Sequence, residues 1–222
     1  MDKSKKIRQM FSMISHNYDF LNHLLSFGQD IYWRKRVAAR VKVNGLKKIA
    51  DIACGTGDLA IEISKVVRNK VVGIDFCFNM LRIMKGKKGA DKILSVNGDG
   101  TMLPVKSSLF DAVTIAFGIR NIPERSVALK EFYRILHTRG ILFVLEFDIP
   151  ENFFFRFYFR KVLPFIGGFF SSREAYEYLP DSVEKFPREI LFVKEIENVG
   201  FVNVNVTSLS FGMVKLYEAH KK

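Results

Sequence analysis

The stretch richest in chemical groups is Ile49-Ala50-Asp51-Ile52-Ala53-Cys54-Gly55-Thr56-Gly57-Asp58-Leu59-Ala60. An apolar strand-like run leads into glycines, and a helical pattern starts directly after them. Glycine permits the tight turn and lets backbone approach a ligand without a Cβ in the way. The first N–H groups of the next helix favour a carboxylate or phosphate. Asp75 ends a second strand-like run, Val71–Phe76, twenty residues beyond Gly55. An acid at that point accepts both hydroxyls of an adenosine ribose, so the pattern indicates a nucleoside-containing cofactor. Gly55-x-Gly57-x-x-Ala60 also fits the dinucleotide fingerprint, and two features speak against that version. Asp51 would sit close to a pyrophosphate and suits a cationic α-amino group better. A long helical segment also precedes the first strand, where a dinucleotide motif commonly opens its domain.

These groups need a scaffold, and the periodicity supplies one. Residues 3–42 read as helices, with Ile7, Met10, Phe11 and Ile14 spaced at i, i+3, i+4 and i+7, a second helix near 17–25 and a third from Gln29 to Val41. From residue 47 the pattern alternates. Strands are predicted at 48–53, 71–76, 93–96, 112–117 and 141–147, with helices at 58–67, 79–87 and 124–136. Such alternation implies a mainly parallel sheet covered on both faces. A last helix at 187–199 precedes two runs, 202–208 and 214–220, whose short link through Ser210–Gly212 makes them an antiparallel pair. No internal repeat or low-complexity linker interrupts the chain. The expected organisation is a helical lid or extension over 1–46 and one α/β domain over 47–222, with an aromatic-rich insertion at 150–186.

Composition narrows the function classes. The chain has 222 residues, is 48% hydrophobic and 26% charged, and fits one globular domain better than a disordered chain or two full domains. Two cysteines, Cys54 and Cys77, exclude a disulfide scaffold and lack zinc-site spacing. No apolar stretch is long enough to span a bilayer, and the basic N-terminus lacks a signal-peptide core, so a cytoplasmic location is expected. The net charge of +12 is concentrated in residues 1–48, with 11 basic and 3 acidic side chains. That patch suits an anionic membrane or nucleic acid equally. No nucleic-acid module accompanies it, and the aromatics are clustered: nine of the eighteen residues 153–170 are Phe or Tyr, interrupted by Arg156, Arg160 and Lys161. This run reads as a core helix, or as an amphipathic element that touches membrane or lines an apolar channel.

Asp51-x-Ala53-x-Gly55-x-Gly57-Asp58 followed by Asp75 resembles the cofactor site of class I S-adenosylmethionine-dependent methyltransferases. The likeness continues through Asn97-Gly98-Asp99-Gly100, Leu103-Pro104, Phe110-Asp111, Phe117-Gly118-Ile119-Arg120-Asn121, Arg134-Ile135-Leu136 and Leu145-Glu146-Phe147. With Tyr18-Asp19, Asn22, Ser26-Phe27-Gly28, Trp33, Pro164, Ile166-Gly167, Tyr178-Leu179, Ser182 and Phe186-Pro187, the chain is similar specifically to the ubiquinone/menaquinone biosynthesis C-methyltransferases. That resemblance implies a Rossmann-like fold with a mainly parallel seven-stranded sheet, an antiparallel C-terminal strand pair and an N-terminal helical extension. It implies S-adenosylmethionine as cofactor, with Asp75 at the ribose, Thr56 in contact, Asp99 and Gly100 flanking the adenine, and Asp51, Gly55 and Gly57 shaping the methionine end. Three positions depart from the pattern. Cys54 stands where glycine is common, Ala116 (grouped with the cofactor residues) where serine is common, and Thr138-Arg139-Gly140 replaces a Pro-Gly-Gly turn.

The reaction so implied is methylation of a ring carbon in a polyprenylated quinol, demethylmenaquinol above all, with the ubiquinone precursor alongside. Phenolate character makes the ortho carbon nucleophilic, so the reduced ring is the substrate and a base or a phenolate-stabilising cation is needed. Arg120 and Asn121 are the first candidates for the ring oxygens, with Arg120 fixed as a cation and a structural salt bridge as its alternative role. Tyr18 and Asp19 fall in the lid, Asp19 as a candidate base. His137 reads as a helix-end residue, and His16 and His23 as solvent-facing lid positions. No metal site is expected. The rivals are an O- or N-methyltransferase with the same cofactor site, an RNA methyltransferase, a non-enzymatic relative and a nicotinamide enzyme.

Overall fold

The computed structural model describes residues 3–15, 18–148 and 173–222. The aromatic run 153–170, Pro164, Ile166-Gly167 and His16 lie outside the described residues. The chain opens with α1 (Lys3–Ile14), α2 (Tyr18–Leu25) and α3 (Gln29–Val43), then alternates. In order come β1 (Ile49–Ile52), α4 (Asp58–Ser64), β2 (Val71–Asp75), α5 (Phe78–Lys85), β3 (Ile93–Asn97), β4 (Phe110–Ala116), α6 (Arg125–Ile135) and β5 (Leu136–Phe147). After α7 (Arg173–Glu184) and α8 (Glu189–Asn198), β6 (Phe201–Leu209) and β7 (Val214–Lys221) close the chain through the turn Ser210–Gly212.

Seven strands form one sheet in the order β3-β2-β1-β4-β5-β7-β6. The first five are parallel, and β7 is antiparallel to both β5 and β6. Period-two alternation divides the core. In β5, Ile141, Phe143 and Leu145 face the layer of α3, α4 and α5, where Trp33, Val37, Leu59, Ile63 and Met84 pack. Leu142 and Val144 face the opposite layer, with Phe132 of α6 and Phe192 of α8. Helix α3 therefore contributes to the main core, while α1, α2 and α7 share a small cluster of Ile14, Leu25 and Val183.

Two local readings of the sequence are corrected. Helix α6 passes straight into β5, which begins at Leu136, so His137 lies in a strand and not at a helix end. The Thr138-Arg139-Gly140 turn is absorbed as an irregularity in the β4–β5 pairing, where the register jumps between Phe110 and Ala112 and Arg139 has φ 66. A Cβ at Gly140 would come within 2.9 Å of the His137 carbonyl oxygen, so the glycine of that turn is sterically required. Helix α7 was also not anticipated: it occupies the end of the region read as insertion.

The order of strands puts β1 between β2 and β4, the crossing point where ligands of open α/β sheets sit beyond the carboxyl ends. The backbone is strained there. Ala53 after β1 and Phe117 after β4 both hold positive φ, 50 and 56, without being glycine. The two loops also touch closely, since a Cβ built on Gly118 would lie 2.7 Å from Ala53 Cβ. Gly118→Ala should therefore lower the urea midpoint at unchanged slope, by the equivalent of about 1–3 kcal/mol for overpacking. An unshifted midpoint would show that the loops have slack.

Candidate functional site

The site is built around Asp75. Its Oδ2 accepts the Gly55 N–H at 2.8 Å and its Oδ1 accepts the Cys77 N–H at 2.7 Å, so one carboxylate ties the glycine loop to the end of β2. Asn97 Nδ2 donates to the Asp75 carbonyl at 2.8 Å and adds β3 to the same junction. Burial pushes the Asp75 carboxyl up to about 6, against the opposing pull of the two N–H groups. Asp51 lies deeper, in mid-strand. Its register opposite Thr114 of β4 brings the Thr114 hydroxyl to donate to Oδ1 at 2.7 Å. Oδ2 is buried with no hydrogen-bond partner among the described residues, and burial raises this carboxyl to about 7.

In front of this junction is a cavity of about 440 Å³ lined by Asp75, Gly55, Asp99, Gly100, Ala116 and Asn121, with Ile7, Phe11 and Tyr18 reaching in from α1 and α2. A Cβ built on Gly55 meets nothing within 4 Å, so the space before the loop is open. Asp99 shapes its own turn, accepting the Thr101 N–H at 2.8 Å and hydroxyl at 2.7 Å. Cys54 faces away, its Sγ 3.1 Å from where Gly73 would carry a Cβ; glycine in β2 makes room for the cysteine.

A second, smaller cavity of about 80 Å³ shares Phe11, Tyr18 and Phe117 with the first. Its wall is mostly apolar and aromatic, with Leu25, Trp33, Phe147 and Met213, and its polar members include Arg120, Arg34 and Tyr178. Arg120 and Asn121 end a short turn after β4. Arg120 lines the second cavity and Asn121 the first. Arg120 Nη1 donates to Glu146 Oε1 and to the Phe117 carbonyl, both at 2.6 Å, and Nε donates to Ser182 Oγ at 3.2 Å. The Tyr178 hydroxyl donates to Asn121 Oδ1 at 2.9 Å. The salt-bridge role considered for Arg120 is thus real, and it coexists with a place in the cavity wall. Burial raises the Tyr18 phenol, with Arg120 and Arg34 pulling the other way.

Four expected site residues sit elsewhere, among them Gly57, which packs against Met84, where a Cβ would lie 2.4 Å from Met84 Cγ. The Thr56 hydroxyl donates to Asp19, Lys87 Nζ lies 2.6 Å from Asp19 and 2.5 Å from Asp58, and neither Thr56 nor Asp19 lines a cavity. Asp51 lies beneath the loop, also outside the lining. His23 Nδ1 is 2.6 Å from Asp30 Oδ2. Arg34 pairs with Asp30 and reaches Asp58 at 3.7 Å, so a guanidinium fills the space where His23, Asp30 and Asp58 converge. Burial pushes Asp30 up, but Arg34, Ser26 and His23 outweigh it and hold its carboxyl below the usual range.

Residues 1–221 match the model of the ubiE/COQ5 methyltransferase family. The chain belongs to this family. Among its relatives, the ubiquinone/menaquinone biosynthesis C-methyltransferase UbiE of Geotalea daltonii is 42% identical, over 99% of this chain and 98% of the other. The UbiE of Campylobacter jejuni serotype O:6 is 41% identical over the whole of both chains. Solved structures share the fold at lower identity. A Thermotoga maritima S-adenosylmethionine-dependent methyltransferase has a TM-score of 0.70 at 19% identity, over 97% of this chain and 100% of that one. The [4+2]-cyclase SpnF has 0.69 at 16%, over 98% and 96%.

As a member of the ubiE/COQ5 family the protein is a methyltransferase, and S-adenosylmethionine is its cofactor. Glu146, Tyr178 and Ser182, all within matched motifs, were not singled out as site residues from sequence. Glu146 had a visible signal, being the lone acid in the apolar run 141–147. Tyr178 and Ser182 had none, because their partners are 57 and 62 residues away.

The raised carboxyls of Asp51 and Asp75 predict a pH-dependent affinity for any ligand that needs them ionised. Both folded values lie above the unfolded ones, so the penalty for ionising them in the fold is absent below pH 4 and complete above about 7. Above that range the free protein already holds both acids ionised, whereas below it a ligand that needs them ionised must first displace their protons. Affinity for S-adenosylhomocysteine should weaken as pH falls from 8 to 5.5, and Asp75→Ala should weaken it by more than tenfold at pH 8, about 1.4 kcal/mol. Calorimetric titration across that range checks both; a flat profile with an unchanged variant would remove Asp75 from the site.

Proposed function

We propose that the chain transfers a methyl group from S-adenosylmethionine to a ring carbon of a polyprenylated quinol, converting demethylmenaquinol to menaquinol in quinone biosynthesis. The observation that carries this reading is the pair of joined cavities. The larger, with a mixed polar and apolar lining and the buried Asp75 in its wall, shares Phe11, Tyr18 and Phe117 with a smaller aromatic-walled one. A nucleoside and a flat apolar ring would meet there edge to edge.

The chain's residues fit the cofactor. Each Asp75 oxygen receives one N–H and keeps a lone pair for a ribose hydroxyl. Asp99 and Gly100 lie where an adenine edge would rest, Ala116 adds apolar wall, and Gly55 leaves the loop's front open. Asp51, with an unpartnered Oδ2 below the loop, supplies negative charge to a cationic amino group, while Gly57 turns the chain into α4. Thr56 acts indirectly, through Asp19. S-adenosylmethionine, when bound, supplies a methyl group already activated on a sulfonium. The chain's own task is to align the acceptor, exclude water and stabilise phenolate. Arg120 does the last of these from the cavity wall, with Asn121 beside it. Asp19, held by Thr56 and Lys87, latches α2 onto the glycine loop in preference to acting as base.

A tail of isoprene units calls for access from a bilayer, and exposed apolar side chains support such a contact. Phe27 is 76% exposed and Phe211 85%, and both hold positive φ without being glycine. Gln29 and Trp33 bond to Ser210 and bring their two segments together, and Ile31 and Tyr32 are exposed one helical turn before Lys35 and Arg36. Greasy side chains next to cations suit an anionic lipid surface. No helix among the described residues is long and apolar enough to cross a membrane, so the contact would be peripheral.

With S-adenosylmethionine, a chemically reduced demethylnaphthoquinol should gain one methyl on carbon by mass spectrometry, while the oxidised quinone, catechols and amines should not. Methylation of a catechol oxygen or an amine at equal rate would favour the rival acceptor class. In flotation with anionic vesicles at low salt, the protein should rise with the lipid, and Phe27→Ser/Phe211→Ser should rise several-fold less. Equal flotation would remove this face from the contact.

A further inference from the structure

Arg120 is held more completely than a surface cation requires. Nη1 is shared between Glu146 Oε1 and the Phe117 carbonyl, Nε is donated to Ser182, and the guanidinium lies over the Phe147 ring at 5.5 Å. Nη2 makes no hydrogen bond to any described residue, and the side chain lines the aromatic cavity. Glu146 itself is fully buried and lines neither cavity. It is bound on every side: Oε1 also accepts the Phe147 N–H at 2.9 Å, and Oε2 accepts the Arg120 N–H at 3.3 Å.

We propose that Glu146 is a positioning residue for the acceptor: it locks the guanidinium of Arg120 so that Nη2 alone is presented to the ring oxygen, and its negative charge balances that of Arg120. This rests on the reading of the second cavity as the acceptor site. A buried guanidinium with no counter-charge would bind phenolate in whatever orientation it found, and an ortho carbon out of line with the methyl reacts slowly. With Glu146 in place, only the two N–H groups of Nη2 remain without a described partner, and the ring oxygen that meets that edge sets the ring's rotation about the cavity. Ser182 fixes the remaining edge of the fork, and Tyr178 does the same for Asn121, so α7 orients both polar groups of the turn.

The chemistry balances without a further reactant. The ring hydroxyl gives up its proton to solvent as phenolate forms beside Arg120. The ortho carbon then takes the methyl as the carbon–sulfur bond breaks with its electron pair on sulfur. The ring C–H proton leaves afterwards as the oxygen is reprotonated, for a net release of one proton. The groups that share this field are Tyr18 from α2, Asp30 and Arg34 from α3, Tyr178 from α7 and Tyr217 from β7. Burial raises the Glu146 carboxyl while Arg120 and two backbone N–H groups pull it down, in keeping with a group whose ionisation depends on its partner.

The test compares Glu146→Gln and Ser182→Ala with the unaltered enzyme on a short-tailed, chemically reduced demethylnaphthoquinol. Rate is measured from pH 6 to 9 and S-adenosylhomocysteine affinity by calorimetry. Glu146→Gln should lower kcat about a hundredfold, within the range of positioned polar groups in catalysis, with KM and cofactor affinity within about threefold. Loss of the negative charge leaves Arg120 uncompensated, so the acidic limb of the rate profile should move down by about one pH unit. Ser182→Ala keeps the ion pair, and should lower kcat about fivefold with the limb unmoved. A Glu146→Gln enzyme with normal kcat, or one whose loss is matched by lost cofactor affinity with an unmoved limb, would overturn the positioning role. If Glu146→Gln does not fold, a Ser182→Ala enzyme with unaltered kcat overturns it in its place. An unaltered enzyme that methylates no quinol at all overturns the acceptor reading instead, and this proposal with it.

Discussion

The structure turns on a carboxylate that ties two strand ends together from the wall of a cavity. Asp75 receives the N–H groups of Gly55 and Cys77, and these bonds set the distance between the ends of β1 and β2. A buried ionised acid is costly, and donated N–H groups offset only part of that cost, which is why the carboxyl is drawn up to about 6. The loop is therefore held by a group still short of hydrogen-bond donors. Two hydroxyls on adjacent carbons would supply them. The same logic applies one layer down, where Asp51 has one oxygen satisfied by Thr114 and the other by nothing described. The fold thus holds two incompletely satisfied carboxyls, Asp75 in the cavity wall and Asp51 beneath the loop.

Around this line the N-terminal helices are fastened by charge. Asp19, Lys87, Asp58, Arg34 and Asp30 form a chain of ion pairs from α2 through α5–β3 and α4 to α3, and Ser12 of α1 accepts from Asn79 at 2.6 Å. These contacts are largely half-buried and alternate in sign, so Lys87, Asp58 and Arg34 each face two partners. Ion pairs of this kind contribute little net stability individually, and their larger effect is on register. They fix where Phe11 and Tyr18 stand, and those two side chains divide the cofactor cavity from the aromatic one. The basic N-terminal segment, read from sequence only as an attraction to polyanions, thus has part of its charge spent inside the molecule, at Arg34.

Sequence made the scaffold legible because the scaffold is periodic. Strand alternation in 141–147 assigns Ile141, Phe143 and Leu145 to one layer and Leu142 and Val144 to the other, as the structure has it. That Gly55, Asp75, Asp99, Gly100 and Ala116 line one cavity has a related reason: they lie at or just after strand ends, and every parallel strand end points to the same edge. What stayed hidden was long-range pairing. Thr56 points to Asp19, 37 residues away, and Arg120 is fixed by Glu146 and Ser182. No local pattern encodes which distant partner a polar side chain will meet. The start of β5 was hidden for another reason: Leu136 follows α6 with no intervening turn, and the helical period overruns the boundary.

Similarity of fold does not by itself choose a reaction here. A chain described as a [4+2]-cyclase superposes nearly as well as one described as a methyltransferase, both at under one-fifth identity. The cofactor half of the site is made of strand ends, whose positions are dictated by the sheet and vary little. The second cavity is lined by side chains from α1, α2, α3 and α7 together with Phe117, Arg120, Phe147 and Met213. Changes there alter the shape of the aromatic cavity without disturbing Asp75 or the glycine loop. Acceptor choice can therefore diverge while donor binding is kept. Arg120 is the hinge between the halves: its backbone belongs to the β4 turn, its Nε and Nη1 are fixed by α7 and β5, and its free edge meets whatever those helices admit.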